Sequence, residues 1–233
     1  MLKHLFAAII ILIGSILIPV FFENAIVFLV SKLGLGWVFS SVLLRVLVIV
    51  LFSVSLYQFF QLSQRLARLR FWLVLLIGLL PGFGISFISP IYVTDYGMFG
   101  DDLILTDINE LETSTGQKIL SDGKYTLVAF FTTTCPHCQA ASKRIGVNLD
   151  GGQLIPVTAI FPGSEGDTQK FLETNHGENF NALIIDNDDL FLKTSNGVFP
   201  SIFLIDKSGK TLNHWIGEEL NYTGLDYLKS LEQ

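Results

Sequence analysis

Phe130-Phe131-Thr132-Thr133-Thr134-Cys135-Pro136-His137-Cys138 is the stretch from which the rest of the chain can be read. An apolar run from Thr126 to Phe131 gives way to three threonines and then to two cysteines separated by two residues, with Pro136 placed to open a helix. That order predicts a strand delivering a thiol pair to a helix N-terminus. The unpaired amides and positive end of a helix favour negative charge on the first cysteine, and the thiolate is the attacking form of a thiol. Cys135 is therefore the expected nucleophile. Cys138, one helical turn further on, is placed to attack a mixed disulfide formed at Cys135 and release its partner.

The chain has only two cysteines, and both lie in this motif. That count excludes a disulfide-built secreted scaffold and marks the pair as reactive. A tetrahedral zinc site is the rival reading, and it would need His137, His176 or His214 to complete the ligand set. None of these is at ligand-like spacing from another, so no metal is expected. His4, His176 and His214 are read as surface or interface residues.

The motif resembles the active site of the thioredoxin superfamily, and the likeness runs on. About sixty residues later Gly197-Val198-Phe199-Pro200 leads into Ser201-Ile202-Phe203-Leu204-Ile205-Asp206 and Lys207-Ser208-Gly209-Lys210. In that family a cis proline lies beside the cysteines, before a strand and a tight turn. The resemblance thus implies that Pro200 is this proline and that the backbone at Phe199-Pro200 pairs with an extended substrate segment, with Thr134 beside it. It also implies an α/β thioredoxin-like fold, a mixed central sheet flanked by helices, and no cofactor beyond a redox-active Cys135–Cys138 disulfide.

The dipeptide between the cysteines tunes the redox potential. Pro136 fixes the helix start and His137 adds a donor, or a positive charge, near the Cys135 sulfur; both stabilise the reduced form and make the pair more oxidising. A Pro-His pair is similar to that of strongly oxidising periplasmic thiol oxidases. Two departures from the thioredoxin pattern stand out. Ala129 replaces the buried aspartate that serves proton transfer there, and Thr134 replaces the tryptophan before the motif.

Half of the 233 residues are hydrophobic and only 15% are charged, and the charge is unevenly spread. Residues 1–94 carry six Lys and Arg against Glu23 alone, whereas the remainder carries nine against twenty Asp and Glu. A basic, apolar front half is joined to an acidic back half, and that acidity argues against nucleic acid as a partner. The front half reads as an all-α transmembrane region with three helices, at about 5–22, 37–60 and 71–93. The first run ends in Ile18-Pro19-Val20-Phe21-Phe22-Glu23 without a small-x-small cleavage site, so it is expected to stay as an anchor. Residues 25–39 fit either an interfacial helix or the first turns of the next span. Arg45 in the second span is read either as a functional charge or as a side chain reaching for the headgroups.

Arg65, Arg68 and Arg70 form a short basic loop, which marks the cytoplasmic side. One span after that loop puts everything beyond it on the outside. The expected location is a bacterial inner membrane, multi-pass, with the C-terminal domain in the periplasm or exterior. Residues 95–102 read as a linker and 103–233 as the thioredoxin-like domain.

Within that domain Leu103-Ile104-Leu105 and Gly116-Gln117-Lys118-Ile119-Leu120 are expected to pair as an outer hairpin. The core strand at Tyr125 to Phe131 follows, then a helix to about Leu149 and a strand from Leu154 to Phe161. A helix at Glu165 to His176, a strand at Ala182 to Asp186 and a short helix at Asp188 to Ser195 come next. Ser201 to Asp206 and Thr211 to Ile216 form a hairpin, and a helix from about Thr223 to Leu231 closes the chain. A hairpin before the core, together with the membrane tether, is similar to the TlpA-like branch of the superfamily. That branch implies reduction or isomerisation of disulfides in exported proteins, with a separate membrane redox partner for recycling, since the front half has no cysteine. A DsbA-like net oxidant is the second reading. A non-catalytic assembly or binding module is the third.

Overall fold

In the computed structural model the apolar run after Lys124 forms the central strand of a five-stranded sheet, β1 (Tyr125–Phe130). Residues 2–61, 77, 80, 105, 108–150, 155–217 and 220–231 are described, in two units, Met1–Ile91 and Tyr92–Gln233. In the second unit β1 is flanked by parallel β2 (Val157–Pro162) and antiparallel β4 (Ser201–Asp206). Parallel β3 (Asn181–Ile185) and antiparallel β5 (Thr211–Ile216) form the two edges, giving the order β3-β2-β1-β4-β5. A parallel neighbour needs a crossover, and each crossover here is a helix. This is the thioredoxin-like fold, a mixed sheet with helices on both faces.

The helices are α4 (Ile108–Thr115), α5 (Pro136–Asp150), α6 (Glu165–Thr174), α7 (Asp188–Thr194) and α8 (Tyr222–Ser230). Alternate residues of the central strands point to opposite faces. Val128, Phe130, Ile160 and Phe203 meet Leu111 of α4 and Leu190 and Phe191 of α7 in one core. On the other face Phe131 and Phe161 pack with Phe171 of α6, with ring centroids 5.2–5.9 Å apart. Each such buried side chain contributes roughly 1.5–3 kcal/mol of burial free energy, so both faces fix the sheet between the helix layers. The α5 helix is held against the end of α6 by close approach. Ser142 donates to the Asn175 carbonyl at 2.9 Å, and a Cβ at Gly146 would meet the His176 carbonyl oxygen at 1.9 Å. Gly146 can therefore only be glycine without moving that loop.

Among the described residues the expected outer hairpin is not formed. Residues 103–104 lie outside the described residues, and residues 108–115 are the helix α4, with Leu111 buried on the sheet. Gly116, expected in a strand, has φ +65 and ends the helix in the left-handed region. Ile119 is buried, but its amide donates to the Glu112 carboxylate at 2.9 Å and its carbonyl accepts from the Thr158 hydroxyl at 2.8 Å. Side chains thus satisfy the backbone that a strand partner would have satisfied.

In the first unit the apolar run from Leu5 is bent. Helix α1 (Leu2–Val20) contains Pro19 in its last turn, and α2 (Phe22–Leu33) follows at 82° to it. The break falls at Phe21, two residues after Pro19, where φ -107 and ψ 27 leave the helical region. α3 (Trp37–Gln61) packs on α1, where the Ser55 hydroxyl donates to the Ala8 carbonyl at 2.9 Å. Arg45 is buried between α3 and α2, donating to the Ser41 hydroxyl with its guanidinium over the Phe22 ring. Among the described residues one helix, Trp37–Gln58 with mean hydropathy 2.4, is long and apolar enough to cross a membrane, or two if the bent pair counts as one span. Three spans are therefore not reached among them; the third expected span, 71–93, falls almost wholly outside the described residues.

Candidate functional site

The site is built first by local bonds. Phe131 extends the β1 ladder, its amide donating to the Ile160 carbonyl at 3.0 Å, and the chain then turns so that the Cys135 amide donates to the Thr132 carbonyl at 3.2 Å. Pro136 begins α5, at the position where a missing amide costs no helical hydrogen bond. The turn closes on sulfur. The Cys138 amide, free of a helical partner in this first turn, donates to Cys135 Sγ at 3.2 Å.

The two thiols differ in environment. Both are free; Cys135 is half-buried and Cys138 is 0% exposed. Burial pushes the Cys138 thiol far above the ordinary thiol range, and its hydrogen bond with Cys135 adds to the rise. Backbone and side-chain hydrogen bonds from Thr132 offset only part of it. Cys138 is thus held as a neutral thiol behind an accessible Cys135.

The second wall comes from another part of the chain. The Phe199-Pro200 peptide is cis, and the Cys135 thiol donates to the Phe199 carbonyl, with sulfur and oxygen 3.8 Å apart. The Phe199 ring is stacked on Phe191 of α7, centroids 5.1 Å apart at 13°. The Pro200 carbonyl accepts from the Gly217 amide at 2.8 Å. Of the residues singled out in the sequence, Cys135, Cys138, Phe199 and Pro200 are thereby brought together. Pro136 and His137 are exposed on the first turn of α5. Thr134 is exposed and borders a groove of about 470 Å³ with Thr133, Gln139, Lys170 and Phe171.

His214, read from the sequence as a surface or interface residue, is 0% exposed; its ring lies on Phe203 and its Nε2 is 2.8 Å from the Ser201 hydroxyl. Thr132, Phe191, Ser201 and His214 all support the site without having been singled out for it. The position of Ser201 directly after Pro200 was the one local signal. An accessible thiol and a second thiol one turn away are the parts that thiol–disulfide exchange through a mixed disulfide requires.

No protein-family model and no curated protein matches the sequence. Solved structures do. The chain is similar to the thioredoxin domain of a thiol-disulfide oxidoreductase from Bacteroides vulgatus, with 25% identity, 46% of this chain and 80% of that one covered, and a TM-score of 0.37. StoA from Bacillus subtilis matches at 18% identity over 48% of this chain and 86% of its own, with a TM-score of 0.40. A thioredoxin-like protein from Aeropyrum pernix matches at 16% identity over 51% and 86%, with a TM-score of 0.42.

Proposed function

We propose that this chain is a membrane-anchored thiol:disulfide oxidoreductase that reduces or isomerises disulfides of exported proteins. The observation that carries the reading is the pairing of half-buried Cys135 with wholly buried Cys138 beside the Phe199 carbonyl. Cys135, as thiolate, attacks one sulfur of the substrate disulfide. That bond breaks, a Cys135–substrate bond forms, and the other substrate sulfur leaves as thiolate and takes a proton. Cys138 then gives up its proton and attacks Cys135 Sγ, and the remaining substrate sulfur leaves. The chain ends as the Cys135–Cys138 disulfide and the substrate has gained two electrons and two protons.

Burial of Cys138 makes the second step the slower one to start, because its proton must leave first. A separate membrane redox partner returns the two electrons, since the chain has no further cysteine. The apolar helices of the first unit support a membrane anchor, and the basic stretch of sequence from Arg65 to Arg70 supports an exterior-facing catalytic domain. Pro136-His137 between the cysteines favours net oxidation as the second reading.

The test uses the full chain in detergent or nanodiscs. Cys138→Ser accumulates a mixed disulfide with exported proteins, seen on non-reducing gels and by mass spectrometry, and Cys135→Ser slows exchange by at least about 10³-fold. A binding module that needs no exchange predicts neither result. Equilibration in glutathione buffers then decides direction. A potential near about −270 mV supports the reductase, and one near about −120 mV makes the chain an oxidant.

A further inference from the structure

Directly behind the cis-proline loop lies a buried polar pair that the exchange steps do not use. Ser201, the residue after Pro200, and His214 on β5 are both 0% exposed, and Ser201 Oγ lies 2.8 Å from His214 Nε2. The ladder places His214 opposite Phe203 and Ile216 opposite Ser201, so the imidazole reaches along the sheet to the hydroxyl. Its ring is stacked on Phe203, centroids 4.1 Å apart at 22°. Two polar side chains in an apolar layer are costly unless paired, and an apolar pair of the same shape would serve the core as well. Core packing alone does not account for them.

What the pair touches does account for them. Phe199 is anchored on Phe191, the Pro200 carbonyl on the Gly217 amide, and Ser201 on His214. The first of these three consecutive residues carries the carbonyl that faces Cys135, and the next two hold it in place. We propose that His214 is a positioning residue for exchange with polypeptides: through Ser201 it holds the Phe199-Pro200 backbone where an extended substrate segment pairs with it. This rests on the exchange activity proposed above. Small displacements of a positioning backbone are costly to reaction because the reacting sulfurs must be aligned.

The experiment compares two disulfides in the full-length chain: a short disulfide-closed peptide, and bis(2-hydroxyethyl) disulfide, which has no backbone to pair. Ser201→Ala and His214→Phe, the latter keeping a ring on Phe203, each lower kcat/KM for the peptide about tenfold. Each leaves the small disulfide within about twofold of wild type. The double variant is no worse than either single one, because both remove the same bond, and His214→Gln recovers part of the loss. Ser201→Ala removes one oxygen atom and reads the bond even where His214→Phe fails to fold. Unchanged peptide rates in Ser201→Ala, or equal losses with both disulfides, overturn the proposal. A wild-type chain inactive on both disulfides overturns the exchange reading itself.

Discussion

The turn at Cys135–Cys138 and the loop at Phe199–Ser201 face each other across one sulfur atom, yet they are held by different means. The turn is closed by bonds between residues three apart, from the Cys135 amide to Thr132 and from the Cys138 amide to Cys135 Sγ. The loop owes its place to α7, β5 and the residue after β5, through Phe191, His214 and Gly217. A locally closed turn survives lesions elsewhere, whereas a loop braced by distant side chains moves when any of them is lost. On the function proposed above, chemistry at the sulfur and recognition of a polypeptide are therefore expected to be separable in this site.

The largest blow to the loop that spares the turn is Phe191→Ala. Phe191 is 2% exposed and touches both Phe130 and Phe199, so its truncation costs about 3–5 kcal/mol. Urea unfolding measures that loss, and in the folded fraction peptide exchange should fall more than exchange with a small disulfide. Equal falls would break the distinction between turn and loop.

The turn itself is probed by pH. Burial holds the Cys138 proton in the folded state to higher pH than in the unfolded chain, so above the ordinary value of 9.0 the folded state binds more protons. Stability of the reduced protein is then full below that pH and falls as pH rises, by at most about 1.4 kcal/mol per pH unit. Cys138→Ala should remove this component. A wild-type profile parallel to that of the variant between pH 8.5 and 10.5 would show that Cys138 is not held as a buried neutral thiol.

The smallest effect sharpens the account of what supports the loop. Asn187 caps α7, its side chain accepting from the Leu190 amide at 3.0 Å. Asn187→Ala should cost about 1 kcal/mol by thermal or urea melting, with exchange rates on both disulfides unchanged because Phe191 keeps its packing.

Legibility in the sequence followed the same division. The hairpin of β4 and β5 coincides with its expected bounds, since the turn between them is set locally, with the Asp206 carboxylate accepting from the Ser208 and Lys210 amides. The α5 start at Pro136 was equally legible. The α4 helix was missed because its eight residues present only Ile108 and Leu111 as apolar markers, too short a run for a period to show. The bend after Pro19 was missed because apolar length says nothing about where a helix breaks. His214 was misread because a single imidazole between Asn213 and Trp215 gives no sign of facing inward, while Leu212 two residues earlier is 38% exposed.

By itself the sequence determined the thiol turn, with its proline at the helix start and its two cysteines one turn apart, because the bonds that close it join residues three apart. Only the tertiary structure decided that Cys138 is sealed while Cys135 is open, and that a carbonyl 64 positions away lies against the Cys135 sulfur. Burial and long-range placement belong to the packing of separated segments, and no local pattern encodes which segment will cover which.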